Sequence, residues 1–181
     1  RGYSLVSFSR IHAMAIRHDE HQEKIAISMP DYVARIASQA EVGFAHTLLY
    51  RGRVLASFGV ARSVPGVGEA WLMHDITAID HSAFLARLAR SYMAQIPEAM
   101  ELRRVQCLVA CSNVKAVRFA EWLYFRREGV LREFGYADHA IMARFYNVRH
   151  SLQSESSQAR SLDCSSATSA GKEFGETRGS A

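Results

Sequence analysis

The stretch from position 113 to position 129 reads Asn-Val-Lys-Ala-Val-Arg-Phe-Ala-Glu-Trp-Leu-Tyr-Phe-Arg-Arg-Glu-Gly. Asn113 can cap a helix, because its side-chain oxygen can accept a hydrogen bond from a backbone N–H of the first turn. Ala116, Ala120 and Leu123 would then share one face of that helix. The Phe and Gly at the end of the stretch mark the return to an extended chain. The stretch therefore predicts a helix that is followed directly by a strand.

The sequence on both sides of this stretch continues the alternation of strands and helices. Short apolar runs between glycine turns predict strands at Tyr3 to Ser9, His46 to Tyr50, Val54 to Ala61, Glu69 to Ile76, Arg104 to Ala110, Gly129 to Phe134 and Ala140 to Tyr146. Helical spacing predicts helices from Pro30 to Gly43, through Leu85 as far as Pro97, and from Val114 to Tyr124, and leaves Arg10 to Glu23 open as helix or loop. The order β-α-α-β-β-β-α-β-α-β-β predicts an α+β domain with a mixed central sheet and helices on both faces.

This order resembles that of the GNAT N-acyltransferases, and so do the offsets of Asn113, Ala116, Leu123, Phe125 and Gly129. The resemblance implies the GNAT fold, in which the fourth and fifth strands splay apart to admit the pantetheine arm of acetyl-CoA. An open cleft beside Trp71 to His74 and Asn113 would favour catalysis, whereas a cleft plugged by side chains or by the polar tail of residues 150–181 would argue against it.

An active protein of this kind needs a cofactor site and a base. The cofactor-binding residues that the resemblance implies are Trp71, Leu72, Met73 and Asn113. His74 and Asp75 are candidate catalytic bases because they end the fourth strand, where this fold opens, and Glu69 near the start of that strand is a second candidate. The alternative for His74 is a structural histidine that is hydrogen-bonded to its neighbours at the strand end. The alternative for Glu69 is a surface charge that flanks a turn.

Two departures from the family pattern affect the chemistry. Ala120 occupies the position where active members commonly carry a tyrosine that protonates the leaving thiolate, and Tyr124 stands one turn further on, where the family usually has glycine. The family's glycine-rich pyrophosphate loop after the fourth strand is replaced by Ile76 to Ser82, which contains no glycine. Asp80 or Ser82 is predicted to cap the next helix, and a carboxylate there would repel a pyrophosphate.

The segments Val64 to Leu72, Arg104 to Gln106 and Trp122 to Leu131 are also similar to acetyltransferase-like proteins of tailed bacteriophages, including an internal-virion-protein group. That group often lacks the glycine loop. Our first hypothesis is therefore a virion or assembly component that is not catalytic and binds no cofactor, present in the host cytoplasm during assembly and then in the virion. The alternative is an active acetyl-CoA-dependent N-acetyltransferase.

The composition changes near the end of the chain. Residues 150–181 are rich in Ser, Gly, Glu, Arg and Thr and hold few large apolar side chains. Such a segment cannot bury enough surface to offset its ordering entropy, so we expect it to be disordered unless a partner binds it. We therefore expect residues 1–149 to form the GNAT-like domain, and residues 150–181 to contact other virion or assembly proteins.

Charge and hydropathy argue against several classes of function. The net charge is only +4 and no block of like charge is present, so the sequence gives no strong nucleic-acid signal. No apolar run approaches the roughly 20 residues that span a bilayer, and we expect no signal peptide. Cys107, Cys111 and Cys164 fit neither a disulfide framework nor a zinc site, and a nucleophilic Cys107 has no histidine close in sequence to support it.

A group of histidines and carboxylates near the start of the chain could suggest a metal cluster. The histidines are His12, His18 and His21, and the carboxylates are Asp19, Glu20 and Glu23. Their spacing fits no known ligand pattern, and the segment is typical of a solvated face. We therefore predict no metal site.

Overall fold

Seven strands form one sheet in the computed structural model, which describes residues 2–147. The strands are β1 (Tyr3–Ser7), β2 (Gly43–Tyr50), β3 (Arg53–Val64), β4 (Val67–His74), β5 (Arg104–Ala110), β6 (Arg126–Phe134) and β7 (Ala137–Phe145). Their order across the sheet is β1-β2-β3-β4-β5-β7-β6. Neighbouring strands are antiparallel except β4 and β5, which are parallel. The predicted α+β domain with a mixed sheet is confirmed.

The helices lie between the strands in the predicted places, with one addition. They are α1 (Arg10–Met14), α2 (Glu20–Ser28), α3 (Tyr32–Glu41), a 3₁₀ helix (Ile76–His81), α4 (Ser82–Ala99) and α5 (Val114–Trp122). Three helices precede β2, where the sequence predicted two. Within residues 2–147, no helix is both long and apolar enough to cross a membrane. The predicted tail, residues 150–181, lies outside the described residues.

The two faces of the sheet carry separate apolar cores. The larger core joins the sheet to α4 and α5 and includes the buried side chains of Tyr92, Met93, Ala120 and Leu123. The smaller core joins the other face to α1 and α3 around the fully buried Met73. Successive side chains of a strand point to opposite faces, so β4 contributes Leu72 to the first core and Met73 to the second.

Two predicted helix ends were wrong, each for a local reason. Pro97 does not end α4, because it sits in the last turn, where a missing N–H removes only one intrahelical bond, and the helix continues to Ala99. α5 ends at Trp122 and not at Tyr124. The backbone of Tyr124 has a φ of 68°, the left-handed conformation that glycine adopts most easily after a helix.

An ion pair between the exposed Arg17 and the buried carboxylate of Asp75 ties the start of the chain to the end of β4. The carboxylate of Asp75 accepts hydrogen bonds from the backbone N–H, Nε and Nη2 of Arg17 at 2.8–3.0 Å, and from the backbone N–H and hydroxyl of Thr77. The hydrogen bonds from the Arg17 guanidinium, helped by those from Thr77, hold the pKa of Asp75 far below its usual range, although burial acts in the opposite direction. Asp75 therefore anchors the connection between α1 and α2 against the sheet.

Asp75→Asn should lower the free energy of unfolding by about 2–3 kcal/mol at pH 7, because several donors lose a charged acceptor. A carboxylate with a depressed folded-state pKa stabilises the protein above its unfolded-state pKa of about 3.9, and that stabilisation is lost as the pH falls towards the folded-state value. The difference between wild type and variant should therefore be constant from pH 7 to pH 5 and shrink below about pH 4. Urea unfolding at pH 7, 5 and 3 measures it.

Asp80→Asn is the matched control, because Asp80 is exposed on the neighbouring 3₁₀ helix. It should change the free energy of unfolding by less than about 0.5 kcal/mol. An Asp75→Asn effect that stays the same between pH 7 and pH 3 would contradict this account.

Candidate functional site

The parallel pairing of β4 and β5 lasts for only three residue pairs. Val67 pairs with Arg104, Gly68 with Val105 and Glu69 with Gln106. Beyond Glu69, β4 continues to His74 and β5 to Ala110, so the two strands diverge around a cleft that opens towards their carboxyl ends. This is the splayed arrangement that the sequence resemblance implied.

The divergence exposes a short stretch of β4 backbone. The N–H of Asp75 donates to the carbonyl of Leu55 in β3. Backbone N–H and C=O groups alternate between the two edges of a strand from one residue to the next. In β4 the odd-numbered residues therefore direct these groups to β3, and the even-numbered residues direct them to the side of β5 and the cleft. The Ala70 N–H still donates to the Gln106 carbonyl of β5, because the last parallel pair, Glu69 with Gln106, requires that bond. The groups that face the side that β5 has left are therefore the C=O of Ala70 and the N–H and C=O of Leu72 and His74.

One of these three residues is already paired by a buried side chain of α2. The Gln22 amide donates from Nε2 to the carbonyl of His74 at 2.9 Å and accepts from the His74 N–H at 3.1 Å. Asp19 caps α2 through the Gln22 N–H, and its other oxygen lies 3.6 Å from Nε2 of His74. α2 thus closes the outer end of the strand edge, and the C=O of Ala70 together with the N–H and C=O of Leu72 is left as its open part.

A cavity of about 1430 Å³ fills the space between the strands and extends to α2 and α3 on one side and to α4 and α5 on the other. The predicted site residues that line it are Glu69, Trp71, Leu72, His74 and Asn113. Met73 and Asp75 are not among its lining residues, because Met73 packs in the core under α1 and α3 and Asp75 binds Arg17. Their catalytic or cofactor-binding roles stay predictions.

The connection that follows β4 differs from the predicted capped helix. Asp75 caps the 3₁₀ helix, because its carboxylate accepts the N–H of Thr77 in the first turn of that helix. The predicted capping of the next long helix by Asp80 or Ser82 is wrong. α4 follows without a side-chain cap, and the N–H of Ser82 bonds to the carbonyl of Ile79. The backbone donors with which such a turn could bind an anion are therefore engaged locally.

The start of α5 agrees with the helix cap that was predicted from the sequence. Asn113 caps the helix by accepting the Ala116 N–H at 3.0 Å, as predicted. Ala120 is buried and lines the cavity. Tyr124 does not line it, and its exposed hydroxyl accepts a hydrogen bond from Arg90 of α4. Tyr124 is therefore not placed to replace a tyrosine at position 120.

Cys107 of β5 lines the cavity close to Glu69. Burial, together with the charge of Glu69, raises the pKa of the Cys107 thiol to about 12. The thiolate is the nucleophilic form of cysteine, so a thiol that holds its proton at neutral pH is a poor nucleophile. Cys107 is better described as an apolar wall of the cleft.

The part of the cavity beside α2 and α3 is rich in polar aromatic groups. Gly59 of β3 leaves room for the Trp71 ring, since a Cβ there would lie 2.8 Å from that ring. Burial raises the pKa of Tyr136, in the turn between β6 and β7. Among residues 2–147, three polar atoms that belong to lining residues have no hydrogen-bond partner: Nδ1 of His21, Nε1 of Trp71 and Oη of Tyr136. Unpaired buried groups of this kind favour a ligand with hydrogen-bonding capacity.

Several lining residues could not be recognised from spacing. Asp19, His21 and Gln22 precede β4 by some 50 positions, and Tyr136 and His139 follow it by more than 60. Only the fold brings them together. In the described range, no group of three or more His, Cys, Asp or Glu side chains could hold a metal ion.

Comparison with known proteins gives a match in structure but not in sequence. No family model matches the chain, and no curated protein matches it. Similar solved structures include an acetyltransferase of the GNAT family from Streptococcus pneumoniae, which is 14% identical with a TM-score of 0.59 over 80% of this chain and 99% of the other.

Two further structures are similar over comparable lengths. The ribosomal L7/L12 α-N-protein acetyltransferase in complex with coenzyme A is 13% identical, with a TM-score of 0.58 over 82% of this chain and 96% of the other. The ribosomal-protein-S5-alanine acetyltransferase from Vibrio fischeri is 12% identical, with a TM-score of 0.58 over 80% of this chain and 93% of the other. The chain therefore has the GNAT acetyltransferase fold.

Proposed function

We propose that this protein is an acetyl-CoA-dependent N-acetyltransferase that holds the pantetheine arm of its cofactor between β4 and β5. The observation that carries the proposal is the separation of these strands after Glu69, which leaves a cavity of about 1430 Å³ lined by both of them. A plugged cleft would have supported a non-catalytic protein. The hypothesis of a virion component stays an untested prediction, and the open cleft favours its alternative.

The open strand edge has the chemistry that a pantetheine arm needs. The C=O of Ala70 and the N–H and C=O of Leu72 offer one donor and two acceptors, and the arm carries two amide groups that can pair with them as an added strand would. Leu85 of α4, Phe119 of α5 and Leu123 directly after α5 supply apolar side chains to the same cavity. The residues that line the cleft therefore fit the cofactor that the fold implies.

Glu69 is the proton acceptor that this geometry favours. Bound acetyl-CoA supplies a thioester whose carbonyl carbon an amine can attack, and the amine must lose a proton to do so. Glu69 lines the cavity at its apex, where the last pair with Gln106 ends. Asp75 is a weak base because Arg17 holds its pKa so low, and His74 lies at the outer end of the strand edge beside Asp19.

The acceptor amine enters, in this proposal, from the side of α2 and α3. Glu69 and Asp19 supply negative charge to that part of the cavity, and Tyr32, Trp71 and Tyr136 supply aromatic rings. Carboxylates and aromatic faces both attract ammonium groups. One similar structure is named as an α-N-protein acetyltransferase and others as spermidine N-acetyltransferases, so protein α-amino groups and polyamines are both suitable first substrates.

Wild-type protein should bind acetyl-CoA in isothermal titration and transfer the acetyl group to spermidine or to a peptide with a free amino terminus. Glu69→Gln should lower kcat/KM about a hundredfold, because general base catalysis contributes on that scale, and should leave the Kd for acetyl-CoA within about twofold. Glu121→Gln on the exposed side of α5 is the control and should behave as wild type. Wild-type protein that binds no acetyl-CoA would refute the proposal.

Ala120 predicts a second kinetic effect. Without a tyrosine at this position, the thiolate must leave unprotonated, and thiols titrate near pH 8.5. Ala120→Tyr should therefore raise kcat at neutral pH by roughly tenfold or more, because its hydroxyl would reach into the cavity that Ala120 lines.

Ala120→Phe provides the matched control, since it adds the same ring without a proton to donate. It should not raise kcat. Equal rates for the tyrosine and phenylalanine variants would show that the hydroxyl adds nothing to this site.

A further inference from the structure

The helices that follow β4 and β5 begin at the same end of the cleft. Both strands run in the same direction, so each leads to its next helix at the open end of the splay. The two helices also contact each other through side chains, since the guanidinium of Arg90 in α4 lies 5.1 Å from the centre of the Trp122 ring in α5. Ser82 in the first turn of α4 and Lys115 in the first turn of α5 both line the cavity, so both first turns reach it.

Two cationic side chains of α5 reach the cavity at this open end, the mouth of the cleft. Lys115 and Arg118 both line it, together with Ile79 and Ser82 from the opposite side. They are three positions apart and so share one face of the helix. Within residues 2–147, neither has a carboxylate within ion-pair distance, unlike Arg17, Lys24, Arg104 and Arg132.

The acidic groups at the mouth do not neutralise this pair. Asp80 is exposed on the 3₁₀ helix, and the carboxylate of Asp75 is used by Arg17 and Thr77. The N–H groups of Thr77 and Ser82, which an anion would need, already have intramolecular acceptors. An anion at the mouth would therefore find its strongest partners on α5 and not on the turn after β4.

The length of the open edge matches the proposed occupant. The five residue steps from Glu69 to His74 cover roughly 16 Å of extended strand. The pantetheine arm contains about 13 bonds between its sulfur and its phosphate, which spans roughly 15 Å when extended. A thioester at Glu69 would therefore bring the diphosphate to the mouth.

We propose that Lys115 and Arg118 bind the diphosphate of the acyl donor, in place of the glycine-rich loop that this chain lacks. This inference rests on the proposed function, because it places the donor in the same cleft. It makes α5 both the wall of the cleft and the source of its anion site.

The test compares two ligands by isothermal titration: acetyl-CoA and acetyl-pantetheine, which has the same arm but no phosphate. Lys115→Ala/Arg118→Ala should weaken acetyl-CoA binding by about thirtyfold or more, since two charge-assisted hydrogen-bonding partners are lost. The Kd for acetyl-pantetheine should change by less than about twofold. Arg87→Ala/Arg127→Ala removes the same charge from exposed residues that do not line the cavity and should bind both ligands as wild type does.

Each other outcome has a definite meaning. Unchanged acetyl-CoA binding by the Lys115/Arg118 variant would overturn this inference and leave the proposed function intact. Equal loss of both ligands would also overturn it, because the effect would not depend on phosphate. If wild-type protein binds neither ligand, the proposed function fails and this inference fails with it.

Discussion

A parallel sheet is continuous only while its two strands stay close enough to share hydrogen bonds, and β4 and β5 stop doing so after Glu69 and Gln106. Every proposed part of the site depends on that separation. It exposes the C=O of Ala70 and the backbone groups of Leu72, and it creates the cavity, at whose mouth the parallel strands deliver α4 and α5. The separation leaves backbone groups without partners, which is costly for a buried strand. Gln22 offsets part of that cost by pairing with His74 as a neighbouring strand would.

The fold was largely predictable because its signals are local. Asn113 capping α5, the glycine turns of the meander and the apolar spacing of α4 all act within a few residues. The errors arose where tertiary structure overrides such signals. Pro97 stays helical in the last turn of α4, and α4 has no side-chain cap because a 3₁₀ helix precedes it directly. Asp75 caps that 3₁₀ helix and also binds Arg17, 58 positions earlier.

The candidate site was only partly predictable. The family resemblance and the position of β4 selected Glu69, Trp71, Leu72 and His74, which do line the cavity. The same criteria selected Met73, but strand alternation turns its side chain into the opposite core. The missing glycine loop and the alanine at position 120 stay departures that the resemblance implies. Their weight against catalysis was harder to judge from the sequence, because neither departure closes the cleft.

The central claim is that the open edge of β4 binds the arm of acetyl-CoA, and the most direct measurement is amide hydrogen exchange resolved by NMR. With saturating acetyl-CoA, exchange of the Leu72 amide should slow at least about tenfold, since it would gain a hydrogen-bond acceptor. The Val60 amide lies in β3, which is paired on both sides, and should be unaffected. Unchanged exchange at Leu72 under saturation would contradict the claim, because the ligand would then bind elsewhere or not at all.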